Sequence, residues 1–120
     1  MRKEITLSYI AGYIDGEGSI DIGKYKDREN PRFRIRVSNT HLETLELLKE
    51  FFGLGGIYKM RLSPNGKKKY YQWSVSARLD VVFILKKIIP YLIEKKERAK
   101  KVLQEAESRN YMRHVIRNYE

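Results

Sequence analysis

Apolar residues recur along this chain with two periods, and the switches between them mark out its elements. Leu7, Ile10, Ala11 and Ile14 fall three or four apart, one face of a helix over Ile5 to Asp15, with Thr6 or Ser8 as its cap. From Ser19 to Tyr25 the period drops to two: Ile20 and Ile22 point one way, Asp21, Gly23 and Tyr25 the other. Lys26 to Pro31 reads as a charged turn. Arg32 to Asn39 then alternates more strongly, with Phe33, Ile35 and Val37 opposite Arg32, Arg34, Arg36 and Ser38. These two segments make a hairpin. A second helix spans Thr40 to Phe52, with Leu42, Leu45, Leu48 and Phe51 or Phe52 at helical spacing, stopped by Gly53, Gly55 and Gly56. Strands follow at Ile57 to Leu62 and Lys69 to Ala77, divided by the turn Ser63-Pro64-Asn65-Gly66. In the fourth strand Tyr71, Trp73 and Val75 share one face, and Tyr70, Gln72, Ser74 and Ser76 the other. Leu79 to Ile89 is helical and ended by Pro90. Glu94 to Glu107 is a helix with few apolar anchors (Ala99, Val102, Leu103), and Arg109 to Glu120 adds a short one.

Helix, two strands, helix, two strands, helices is an α+β order. A four-stranded antiparallel sheet with helices on one face satisfies it. The other face is left for water or a ligand. The 120 residues suit one domain, with a core over about 5–105 and a helical extension over 106–120.

Composition narrows the function. The net charge of +10 predicts a polyanionic partner, most often nucleic acid. The absence of cysteine excludes disulfides, thiolate metal sites and a cysteine nucleophile. No apolar run approaches the ~20 residues of a membrane helix, and the first residues lack a signal-peptide core, so an intracellular protein without a membrane partner is expected. His41 and His114 have no partners at metal-ligand spacing.

The cations are distributed in a pattern. Arg32, Arg34 and Arg36 would stand in a row about 7 Å apart on the open face of the sheet. Lys59 and Arg61 repeat that two-residue spacing on the third strand, and Tyr25, Tyr70 and Gln72 interleave. Ser38 and Ser74 complete the face. Arg, Lys and Gln on a ribbon of strands are the usual readers of base edges in the major groove. Lys24, Lys26, Arg28, Lys67, Lys68 and Lys69 cluster around the two hairpin turns, as phosphate contacts would. The bland alternatives are a solvated sheet face and edge-protecting lysines.

A second pattern sits in Tyr9-Ile10-Ala11-Gly12-Tyr13-Ile14-Asp15-Gly16-Glu17-Gly18. Gly12 and Gly16 lie one turn apart on a helix, where glycine costs about 0.5–1 kcal/mol against alanine. Close approach of a second helix backbone would account for them. Asp15 and Glu17 sit where the helix ends, a poor place for negative charge unless a cation joins them.

Ile10 to Gly18 resembles the nonapeptide motif of the LAGLIDADG homing endonucleases, position by position. The element order over residues 5 to about 105 is similar to that family's αββαββα core, whose strands form a saddle over DNA. The resemblance implies a site-specific endonuclease that cuts both strands of a long, near-palindromic DNA site. A single motif implies a homodimer joined through Ile10, Ala11, Gly12, Ile14, Asp15 and Gly16. It further implies that Glu17, with the Gly18 carbonyl or neighbouring backbone, binds Mg²⁺, with Mn²⁺ able to substitute and Ca²⁺ binding without supporting cleavage. Asp15, the other motif acid, would be structural. The family's basic residue near the scissile phosphate maps to Lys95, with Lys96 as neighbour, and its water-positioning residue to Asn39, which also suits a helix cap. A non-cleaving DNA or RNA binder on the same fold, such as a maturase or transcription regulator, competes with this reading. A basic ribosome-associated protein would explain the charge but neither Glu17 nor the glycines.

Overall fold

A computed structural model describes residues 5–23, 31–61 and 69–108. Tyr25, the hairpin-turn cations Lys24, Lys26, Arg28, Lys67 and Lys68, the Ser63–Gly66 turn and the expected helix at Arg109–Glu120 lie outside the described residues. Helix α1 (Leu7–Glu17) begins two residues later than its periodicity predicts and runs two residues further. Thr6 caps it, its Oγ1 accepting from the Tyr9 amide at 3.2 Å. No loop follows: β1 (Gly18–Gly23) starts at the next residue. Then come β2 (Arg32–Asn39), α2 (Leu42–Phe52), β3 (Gly56–Arg61), β4 (Lys69–Val75) and α3 (Arg78–Ile88). Pro90 does not cut α3 off abruptly. The chain tightens into a 3-10 turn, Ile89–Tyr91, which needs no amide from the proline, and α4 (Lys96–Ala106) follows.

The strands form one antiparallel sheet in the order β1-β2-β4-β3, so the arginine strand β2 and the tryptophan strand β4 are central. Its apolar face carries Ile20, Phe33, Ile35, Val37, Trp73 and Val75. The four helices cover that face with Ile10, Ala11, Ile14, Leu45, Leu48, Val81, Ile84, Leu85, Ile88, Ala99, Val102 and Ala106, all buried. Alternation in the strands and the three-to-four spacing in the helices therefore meet in a single core.

Trp73 anchors the β4 end of this core. Its ring is fully buried and stacks on Phe52 at 5.9 Å, and its Nε1 donates to the Leu54 carbonyl at 3.0 Å. The carbonyl can reach because Gly55, at φ 85°, passes so close that a Cβ there would stand 2.6 Å from the indole nitrogen. On the opposite edge, Arg98 of α4 donates from Nε to the Ile20 carbonyl at 3.0 Å, closing part of the exposed edge of β1. Among the described residues, no helix is long and apolar enough to cross a membrane.

Candidate nucleic-acid interface and acidic end of the first helix

The seam between α1 and β1 is built tightly. The Gly18 amide donates to the Ile14 carbonyl, and a Cβ on Gly18 would fall 2.9 Å from that oxygen and 3.2 Å from Val37 Cγ2. Glycine is required here by close packing. Glu17, the last helical residue, is exposed at this seam.

Asp15 and Glu17, two residues apart, have opposite environments. Asp15 Oδ2 accepts from the Ile93 and Glu94 amides, both at 3.0 Å, and Oδ1 from the Lys95 amide at 2.7 Å. The Lys95 ammonium in turn donates to the Asp15 carbonyl, near the negative end of α1. Desolvation pushes the Asp15 carboxyl up, but the bonds from Glu94, Lys95 and Ile93, together with the Lys95 charge, outweigh it. The group ends below the ordinary aspartate value. Asp15 thus latches the end of α1 to the turn that starts α4, while the Glu17 carboxylate remains in solvent. Lys95 is held on the carbonyl of Asp15, which lies two residues before Glu17 in the last turn of α1.

The structure divides the motif's other residues in a way the sequence reading did not. Ile10, Ala11 and Ile14 were expected at a dimer interface, yet they are fully buried within their own chain and have no surface left to offer a partner. The Asp15 carboxylate is likewise engaged in its own chain. Gly12 and Gly16 differ: both are exposed, and a Cβ on either would meet nothing within 4 Å. The outer face of α1 is notched at these two positions.

Asn39 sits at the end of β2 on the helix side. Its Nδ2 donates to the Tyr13 hydroxyl, and its Oδ1 accepts from the His41 amide at 2.9 Å. Both ends of the amide are used within the chain, one against α1 and one at the entrance to α2. The His41 ring bonds Thr44 Oγ1 at 2.8 Å.

The open face of the sheet carries Ser19, Asp21 and Gly23 on β1, Arg32, Arg34, Arg36 and Ser38 on β2, and Tyr70, Gln72 and Ser74 on β4. Gln72 Nε2 donates to Ser38 Oγ at 3.2 Å. Register corrects the third strand. Ile57 pairs with the buried Trp73, Lys59 with Tyr71 and Arg61 with Lys69, so Lys59 and Arg61 lie on the helix side of the sheet. They are exposed there, and the open-face residues of β3 are Tyr58 and Met60, opposite Gln72 and Tyr70. The apolar Ile57 was the available signal: packing it inward fixes the parity of the whole strand. The face also holds an acid the sequence reading did not select. Asp21 Oδ2 accepts from Arg36 Nη2 at 2.7 Å, so the arginine row is not a set of unpaired cations.

A family model described as LAGLIDADG endonuclease matches residues 10–109, from the first motif residue to just beyond α4. This chain belongs to the LAGLIDADG endonuclease family. Solved structures agree on the fold. The archaeal intron-encoded homing endonuclease I-Vdi141I, complexed with DNA, is similar at 25% identity and a TM-score of 0.67, over 83% of this chain and 65% of that one. The homing endonuclease I-CvuI, in complex with its target in the presence of calcium, is similar at 23% identity and a TM-score of 0.68, over 82% and 63%. I-SmaMI, bound to an uncleaved DNA target with calcium ions, shares the fold at 18% identity and a TM-score of 0.74, over 95% and 41%. The LAGLIDADG chain described here thus spans less than two thirds of the length of these proteins. No curated protein sequence matches it.

Proposed function

We propose that this LAGLIDADG protein is a divalent-metal-dependent, site-specific DNA endonuclease that works as a homodimer, with the open sheet face lying along the duplex. The observation that carries the reading is the contrast at the end of α1. Asp15 is consumed by the fold, whereas Glu17 is left exposed at the seam with β1, beside the notched outer face of the motif helix.

The donor set fits Mg²⁺. A carboxylate is a hard oxygen ligand, and Mg²⁺ is usually held by one or two carboxylates plus substrate phosphates rather than by an all-protein cage. One Glu17 from each of two chains, with the Gly18 carbonyl, would supply such a set. A bound divalent ion supplies charge stabilisation for phosphodiester hydrolysis. Glu17 fixes where that charge sits. Lys95, whose ammonium is bonded to the Asp15 carbonyl, would have to leave that bond to reach a scissile phosphate and offset developing negative charge. Asn39 serves the site by fixing Tyr13 and the start of α2; positioning water would require it to give up one of these bonds.

Two chains meeting at Gly12 and Gly16 would bring the Glu17 residues together, because the notches and the glutamate belong to the same helix. Arg32, Arg34, Arg36, Ser38, Tyr70, Gln72 and Ser74, with Tyr58 and Met60, would face the groove, while Lys59 and Arg61 point to the opposite side of the sheet. The test is cleavage of a randomised palindromic duplex library by the purified protein with Mg²⁺. Glu17→Gln should bind the selected site without cutting it. A wild-type protein that binds the selected duplex but never cuts it favours the regulator or maturase reading.

A further inference from the structure

We infer that Asp21 is a specificity-determining positioning residue, which holds the Arg36 guanidinium in one orientation for reading a single guanine in each half-site. The inference rests on the DNA-binding reading above and deepens it. An acid on a face that meets a polyanion costs affinity through repulsion, so its presence calls for a local reason.

The geometry supplies one. Arg36 lies on the central strand β2, with Ser19 opposite it on β1 and Ser74 opposite it on β4. Both neighbours are small. Asp21 is not its direct cross-strand partner; that residue is Arg34. The carboxylate instead reaches diagonally, a contact within range of long side chains on one sheet face, and takes Arg36 Nη2 at 2.7 Å. The pair is half-buried, with side-chain exposures of 32% for Arg36 and 27% for Asp21. A free arginine gives up side-chain freedom, worth up to ~2 kcal/mol, when it is fixed on a base. An arginine already tethered through one nitrogen has lost part of that freedom before DNA arrives; Arg36 Nε is buried without a hydrogen-bond partner among the described residues, so the Nη edge is the one left to meet a base in a constant direction. Guanine, with O6 and N7 side by side, is the edge a fixed guanidinium fork matches.

The experiment uses the full chain and a randomised double-stranded DNA library, with the base preference at each position read from bound duplexes. Wild-type protein should show a guanine preference at one position per half-site that Arg36→Ala removes. Asp21→Asn should weaken the preference at that same position severalfold, less than Arg36→Ala, whose loss is the roughly 5- to 100-fold of one bidentate contact. Other positions should be unchanged, and affinity for unrelated DNA equal or higher. Asp21→Glu, which keeps the charge, should restore part of the preference; thermal unfolding of each variant separates this from loss of fold. A preference untouched by Asp21→Asn, one flattened equally at all positions, or a change at a position Arg36→Ala does not affect would overturn the inference and leave the DNA-binding reading standing. A wild-type protein that enriches no sequence would overturn both.

Discussion

Replacing Asp15 by asparagine should loosen the end of α1 from the start of α4 without touching the apolar core. The carboxylate now accepts three backbone N–H groups, from Ile93, Glu94 and Lys95, at 2.7 to 3.0 Å. Asparagine keeps one acceptor oxygen and presents an NH₂ to at least one of those amides. A hydrogen bond to a charged group contributes about 1.5–3 kcal/mol when well shielded, but this site is half-buried and water can replace part of the loss. Removing a single helix-capping side chain costs about 0.5–2 kcal/mol. We therefore expect a loss of about 2 kcal/mol, or a fall in Tm of roughly 6–10 °C for a domain of this size. The pH dependence gives the sharper test. Because the folded-state pKa of Asp15 lies below its ordinary value, its contribution is present above that value and disappears as pH falls through the folded-state pKa. Urea unfolding of wild type and variant, with chelator present, should differ at pH 7, and the gap should begin to close below about pH 4, the ordinary aspartate range, and vanish only below the lower folded-state value. Hydrogen exchange at the 93–95 amides should accelerate in the variant at pH 7. Equal stabilities at pH 7, or a gap that persists undiminished in acid, would refute the latch.

Other consequences can be measured directly. Gly18→Ala forces a Cβ against the Ile14 carbonyl and Val37 and should cost about 1–3 kcal/mol in chemical unfolding. Gly12→Ala and Gly16→Ala meet nothing within 4 Å; each should stabilise the isolated chain by up to about 1 kcal/mol, yet weaken self-association about tenfold or more in sedimentation, since a ~1.4 kcal/mol clash is a factor of ten. Unchanged association would remove the glycine face from the proposed dimer. Trp73→Phe loses the bond to Leu54 along with ring volume and should destabilise by about 1–3 kcal/mol; a smaller effect would mean that the Leu54 carbonyl finds water. Lys59→Ala and Arg61→Ala, on the helix side of the sheet, should leave the base preference read from selected duplexes unaltered. A change in preference would contradict the β3 register.

Much of this architecture was legible because its alternations are long. Eight residues of β2 alternate without interruption, and the spacing of Leu42, Leu45 and Leu48 admits only a helix. The motif nonapeptide pointed to the family, and Thr6, Gly53 and Pro90 marked boundaries to within a residue or two. What escaped was information carried by pairing. Lys59 and Arg61 have the same spacing as the β2 arginines, and spacing alone does not say which side of a sheet a strand presents. The pairing of Ile57 with Trp73 decides it. Asp21 was read as part of an alternation, because a diagonal contact to Arg36 across two strands has no signature along the chain. The motif was read as one interface, whereas a helix has two sides: Ile10, Ala11 and Ile14 turn inward, and Gly12 and Gly16 outward.

The direct passage from Glu17 into Gly18 constrains how this protein can vary. With no slack at the junction, helix and strand behave like meshed gears. One extra residue before Glu17 would turn the glutamate through roughly 100° about the helix axis. One extra residue after it would move every β1 side chain to the opposite side of the sheet. Substitutions in the nine residues alter chemistry and fit, but a change in their number would throw the acid out of alignment with the open face of the sheet.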